Sequence, residues 1–156
     1  MSELLDPNRW RVIAVTVLTV SLCVLLHYEV LTGLTRLMRK LTINARARML
    51  VMMPCVMVTH AAQIWVFGFA YAVLLRNPAH GAITATMIGA GERLDLFDYV
   101  YFSAMTFTTV GLGDLIPSGH IRLLAGMEGL TGLVFITWSA SFAFLEMQRF
   151  WRADNI

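Results

Sequence analysis

Three apolar stretches, each long enough to cross a bilayer, constrain this chain more than any other feature. They run from Trp10 to Leu34, from Met49 to Leu75 and from Ile121 to Met147. A helix needs roughly 20 apolar residues to span a hydrocarbon core of about 30 Å. Composition agrees, since 58% of the 156 residues are hydrophobic and only 14% are charged. A soluble domain carries about a quarter charged residues. The expected fold class is an all-α membrane protein with three transmembrane helices.

The first stretch is expected to stay on the protein. Glu3 and Asp6 offset Arg9 and Arg11, and "LLHYEV" offers no small-x-small cleavage site. Cys23 and Cys55 lie within apolar runs and read as buried thiols. No nucleophile–base pair, metal-ligand spacing or phosphate loop is visible, so the sequence does not read as an enzyme. The net charge of +2 is too small to imply a nucleic-acid partner.

Charge placement orients the chain. The link "TRLMRKLTINARAR" holds Arg36, Arg39, Lys40, Arg46 and Arg48 with no acid. The next link sets Arg76 and Arg93 against Glu92, Asp95 and Asp98. Lys and Arg collect on the cytoplasmic side, which puts the amino terminus outside and the carboxyl terminus, with Arg149 and Arg152, in the cytoplasm. The expected location is the plasma or inner membrane, multi-pass. The basic linker 36–48, with Leu37, Met38 and Leu41 among its charges, reads either as a contact for anionic lipid or as a solvated linker. Trp10, Trp65, Tyr71, Trp138 and Trp151 are candidate interfacial anchors where they fall near segment ends.

The second link contains "DLFDYVYFSAMTFT", which is amphipathic and too short to span. Asp95 suits an N-cap, and Asp98 in the first turn suits the helix dipole. About a dozen helical residues cover roughly 18 Å, a half-crossing. The chain must then return through "TTVGLGD". Irregular backbone at membrane depth is tolerated only where it is buried in protein or lines a water-filled space. Alternating glycines permit a strand whose dihedrals switch hand at each residue. Successive carbonyls then face one side, and Val110 and Leu112 pack behind them. The Thr109 hydroxyl adds an oxygen at the inner end.

On these residues "TTVGLGD" closely resembles the selectivity filter of potassium channels. "YFSAMTFTTVGLGDLIPSG" resembles a complete pore-helix, filter and outer-mouth unit, and "EGLTGLVFITWSASFAF" resembles the inner helix. The resemblance covers roughly the last two thirds of the chain. It implies a pore domain (47–156), to which the first apolar stretch adds an N-terminal transmembrane helix with its basic linker (1–46). Within the pore domain it implies an outer helix at 48–76, a pore helix at 95–108, a filter at 109–114 and an inner helix at 120–150. Thr109, Val110, Gly111 and Leu112 would present carbonyls to K+, and Gly113 would complete the outer turn. Asp114 would sit behind the mouth, held by Tyr101. No cofactor beyond K+ is implied. Four copies must surround the ion, so a homotetramer with C4 symmetry is implied. Leu133, Ile136, Thr137 and Ala140 would line its cavity, and Gly132 is either a hinge or a close-packing site. The sequence departs from the family at Leu112, where an aromatic is usual, and at Met105, where some bacterial relatives carry glutamate.

Polar groups within the apolar stretches are the remaining candidates. Glu128 is placed toward the pore helix, bonded to Ser103, Thr106 or Tyr101 and bracing the filter, with a proton sensor as the alternative. His27 and Glu29 on the first helix, and His60 and Gln63 on the second, are candidates to meet and pin the first helix to the pore. That helix lacks the arginine row of a voltage sensor. Few residues follow the third stretch, so gating is expected in the filter, the helix bundle or the membrane. The leading reading is a potassium-selective channel. A weakly selective cation channel and a non-conducting membrane interaction subunit stay open beside it.

Overall fold

The computed structural model describes residues 6–40, 44–85 and 94–154. Four helices carry the fold: α1 (Pro7–Lys40), α2 (Ala45–Leu74), α3 (Leu96–Phe107) and α4 (Arg122–Asp154). The segments Pro7–Lys40, Arg46–Leu74 and Gly119–Arg149 are long and apolar enough to cross a membrane. Between α2 and α4 run two short strands, β1 (Ala82–Ala85) and β2 (Leu115–Ser118).

Each long helix buries one stripe and leaves the rest of its surface apolar and open. On α1 the stripe is Val12, Thr16, Thr19, Cys23, His27, Leu31, Leu34 and Met38, spaced three or four apart. That spacing keeps one face against the neighbouring helices. α1 also runs further than the first apolar stretch. Arg36, Arg39 and Lys40 therefore ride on its last turns, where cations suit the negative end of the helix dipole. Arg46 and Arg48 open α2. Residues 41–43 of the basic linker, including Leu41, lie outside the described residues, as do 86–93 of the following link.

Two apolar clusters join the helices. One gathers Phe67, Tyr71 and Leu74 of α2 with Phe102 and Phe107 of α3, Leu124 and Phe135 of α4, and Val12 and Cys23 of α1. The other, toward the opposite end, gathers Leu31, Leu34 and Met38 with Met52, Val56 and Ala143. Small residues set the closest approaches. A Cβ at Gly68 would stand 2.7 Å from Cγ2 of Val100 on α3.

The β1–β2 pair is antiparallel, in the register Ala82 with Ser118 and Ala85 with Leu115. It ties the chain leaving α2 to the chain entering α4. Gly81 (φ 126°) closes one end, where a Cβ would fall 2.0 Å from the Ser118 carbonyl oxygen. Sequence patterning does not announce this ribbon, because "AITA" and "LIPS" are too short to show an alternation.

Candidate functional site: the Thr109–Asp114 loop and its supports

α3 starts where its capping residues dictate. The Asp95 side chain accepts from the Asp98 N–H at 3.0 Å, and the Asp98 side chain accepts from the Asp95 N–H at 2.7 Å. This reciprocal capping box satisfies two otherwise unpaired donors. At the other end the helix feeds straight into a reversal. The Thr109 N–H donates to the Thr106 carbonyl at 3.0 Å, and the Gly111 N–H donates to the Met105 carbonyl at 3.1 Å.

The backbone of the reversal alternates. Thr109, Gly111 and Gly113 have φ of 59°, 53° and 79°, while neither Val110 nor Leu112 has positive φ. Glycine adopts this region freely, but a β-branched threonine does so only under constraint from its surroundings. Such alternation turns successive peptide groups to the same side. Val110 and Leu112 are 58% and 65% exposed in the single chain.

Three sets of contacts surround the loop and the helix that leads into it. On its exposed side the Tyr101 hydroxyl donates to Asp114 Oδ2 at 2.8 Å, and the Leu115 N–H donates to Oδ1 at 3.1 Å. On its buried side Glu128 is fully buried and accepts from the Tyr71 hydroxyl at 2.6 Å and the Ser103 hydroxyl at 2.5 Å. Ser103 also bonds the Ile64 carbonyl at 2.8 Å. The acid thus joins α2, α3 and α4. Of the three hydroxyls named from sequence, Ser103 is the one bonded to Glu128, and Tyr101 turns instead to Asp114. Tyr71 was not foreseen in this role. It sits eight residues after Gln63 on an apolar helix, and that spacing on one face is the signal that marks it.

The third set is steric. Gly132 of α4 lies against the end of α3, and a Cβ there would stand 2.0 Å from the Phe107 carbonyl oxygen. This gives the glycine a packing role, and α4 continues through it without a break. Leu133, Ile136, Thr137 and Ala140 are exposed and lie together on a face of α4 that adjoins the one packed at Gly132.

The polar groups of α1 and α2 also converge. Gln63 bonds both His27 and His60, each at 3.2 Å. Ser139 of α4 joins them, a partner that sequence reasoning missed although it lies three turns beyond Glu128 on the same buried face. Glu29 is exposed and takes no part in this cluster. At the amino-terminal end of α1, Asp6 caps the helix by accepting from the Asn8 N–H at 2.9 Å and meets His120 Nε2 at 3.2 Å.

Residues 55–149 match a protein family described as ion channel. The matched span includes most of α2, all of the reversal and most of α4, and excludes α1. Protein LctB of Geobacillus stearothermophilus is 36% identical over 69 residues, 44% of this chain and 52% of that protein. The chain thus matches about half the length of this curated relative. No solved structure matches.

Proposed function

Because this chain belongs to the ion channel family, we propose that it is a potassium-selective channel in which four copies bring their Thr109–Leu112 carbonyls to one axis. The observation that carries this reading is the alternating φ along Thr109, Val110, Gly111, Leu112 and Gly113. A peptide chain of that kind offers a row of oxygens on one side. Four such rows replace the water around a dehydrated cation. The carboxyl end of α3 points its negative dipole end into the same region, which favours a cation there.

Four-fold assembly is part of the proposal. A single loop cannot surround an ion, and closed rings form from heterologous contacts. In the single chain, Val110, Leu112 and the Leu133–Ala140 face of α4 are left open. Neighbouring copies and the cavity between them account for those surfaces. Residues 47–156 then form the pore unit and residues 1–46 its added helix and linker. The basic residues at 36–48 face the cytoplasmic leaflet, where anionic lipid is their natural partner.

A weakly selective cation channel is the second reading, and Leu112 favours it. An aliphatic side chain supplies no hydroxyl to brace the row of carbonyls. Recording from the purified protein in bilayers under a K+/Na+ gradient separates the two. A reversal potential near that for K+ supports the first reading, and one near zero supports the second. Native mass measurement tests the assembly, and a monomer or dimer that carries no current leaves only an interaction subunit.

A further inference from the structure

α1, α2 and α4 meet around four polar side chains that the proposed conduction path does not use. His27 and Gln63 are fully buried, Ser139 is nearly so and His60 is half-buried. Their hydrogen bonds close a ring. Gln63 fixes its direction, because Gln63 Nε2 bonds the Cys23 carbonyl at 3.2 Å and must be the amide nitrogen. It therefore donates to His27 Nδ1 at 3.2 Å, which leaves the His27 proton on Nε2. Gln63 Oε1 accepts from His60 Nδ1 at 3.2 Å, which leaves His60 Nε2 bare. Ser139 Oγ then accepts from His27 Nε2 at 3.4 Å and donates to His60 Nε2 at 3.1 Å. Each of the four links holds one proton, and all run the same way round.

A ring so filled has no place for another proton. Added to His27 Nδ1, it faces the Gln63 amide hydrogens. Added to His60 Nε2, it faces the Ser139 hydroxyl and displaces the hydroxyl proton from the ring. Phe135 stacks on His27 at 4.6 Å with 5° between the planes, so its face accepts nothing from an in-plane N–H. Trp138 and Phe107 are the other aromatic neighbours, at 5.0 Å from His27 and 5.9 Å from His60. Among the described residues no carboxylate is paired with either imidazole. On α4, Glu128 is held by Tyr71 and Ser103, and Glu146 pairs with Arg149 at 2.7 Å. The nearby titratable groups on the other helices are Cys23 of α1 and Tyr71 of α2. An imidazolium here would be a buried charge without a counter-charge.

We propose that the His27–Gln63–His60–Ser139 ring is a proton-binding site that latches α1 to α2 and α4 while both imidazoles are neutral and releases α1 when one of them is protonated. Its effect on current rests on the channel reading. Ser139 is buried on α4 one turn from the exposed Ile136, so release of α1 frees the helix that would line the cavity, and acid raises conduction.

The test uses the full-length protein in lipid bilayers with 15N-labelled histidine. At pH 8 the two rings show opposite neutral tautomers, Nε2–H for His27 and Nδ1–H for His60, and this measurement needs no substitution. On acidification a charged imidazole appears together with a loss of at least about tenfold in the hydrogen-exchange protection of α1. The loss is absent in the double variant His27→Gln, His60→Gln. K+ flux from liposomes rises about tenfold between pH 8 and pH 5 in the unmodified chain and in His120→Gln, but not in the double variant. Identical tautomers, a charged ring at pH 8, or protonation without loss of α1 protection overturns the latch. Flux that rises with acid in the double variant, or that stays flat while α1 is released, overturns its coupling to conduction. Absence of flux at every pH sinks the channel reading instead, and the spectra and exchange still decide the ring.

Discussion

Two buried polar clusters lie on one face of α4, and they are built on opposite principles. The Glu128 cluster gathers donors around one acceptor group, since Tyr71 and Ser103 both give protons to the same carboxyl. Its three residues all fall within the segment matching the ion channel family. The imidazole cluster is a closed circuit with equal numbers of donors and acceptors, and its α1 member lies outside that segment. The first arrangement suits a fixed brace, because Tyr71 and Ser103 converge on one buried centre and Ser103 is held to the Ile64 carbonyl as well. The second suits a latch, because one extra proton opens it. The comparison assigns rigidity to the supports of the 109–114 loop and adjustability to the attachment of α1.

Glu128 is where the comparison breaks most visibly. Glu128→Ala strands the Tyr71 hydroxyl, opens a cavity and leaves Ser103 with only the Ile64 carbonyl. The expected loss is about 2–4 kcal/mol of stability. Glu128→Gln keeps an acceptor for Tyr71 and offers an N–H toward Ser103, so it should stay within about 1 kcal/mol of the unmodified chain. Thermal unfolding in detergent measures both. If Gln is as damaging as Ala, the site depends on charge and the description as a hydrogen-bonded brace is wrong.

Ser139→Ala sharpens the other half. It removes the bridge between the two imidazoles and leaves a buried N–H on His27 without its acceptor, at about 1–3 kcal/mol. The loss should be local to α1. Hydrogen exchange ought to show α1 losing protection while α3 keeps it. Equal loosening of α3 would mean that the clusters are one cooperative unit rather than two.

How much of this was legible in the sequence follows from the physics of each element. The long helices were legible because lipid demands uninterrupted apolar length. The α3 start was legible because Asp95 and Asp98 carry a local capping signal. The hand-switching loop was legible because glycines alternate in "TVGLG". Tyr71 and Ser139 were harder. Each is a single polar atom on an apolar helix, and its partner lies 57 residues away for Tyr71 and 112 or 79 away for Ser139. Only the fold supplies that pairing. The β1–β2 ribbon left no trace for a similar reason, since its register comes from the closing of the loop and not from its own residues. The end of α1 was not legible from apolar length alone, because a helix can run on past the lipid with charged residues facing water.

Tyr101→Phe tests the exposed support against the buried one. The lost hydrogen bond to Asp114 is worth about 0.5–1.5 kcal/mol, and its exposure puts it at the low end. Asp114 keeps the Leu115 N–H. Unfolding should therefore hardly move, while the loop itself becomes less well held. In recordings that difference would emerge as faster loss of current during sustained activation, without a change in assembly. A large drop in overall stability would place Tyr101 with Glu128 as a global brace and erase the distinction between the two sides of the loop.

The smallest effect belongs to Asp6, which fastens the start of α1 by another chemistry. Its carboxyl is held below the usual 3.8, first by the Asn8 backbone N–H and also by the charge of nearby His120. A carboxylate with a lowered folded value contributes stability above the unfolded value and loses it as pH falls through the folded one. The contribution is thus fully present at neutral pH and disappears only below about pH 4, well under the acid range in which the imidazole ring is expected to open. Asp6→Asn keeps an oxygen for the cap, which asparagine serves as well as aspartate, and removes only the charge. At pH 6 its unfolding curve should lie slightly below that of the unmodified chain, and the two should converge toward pH 3, where the aspartate is protonated. Salt should shrink even that difference, since the pair is largely solvated. The decisive point is the window. If Asp6→Asn removes the response of α1 between pH 8 and pH 5, the attachment of α1 is controlled at its exposed end by a surface ion pair, and the buried ring is only structural.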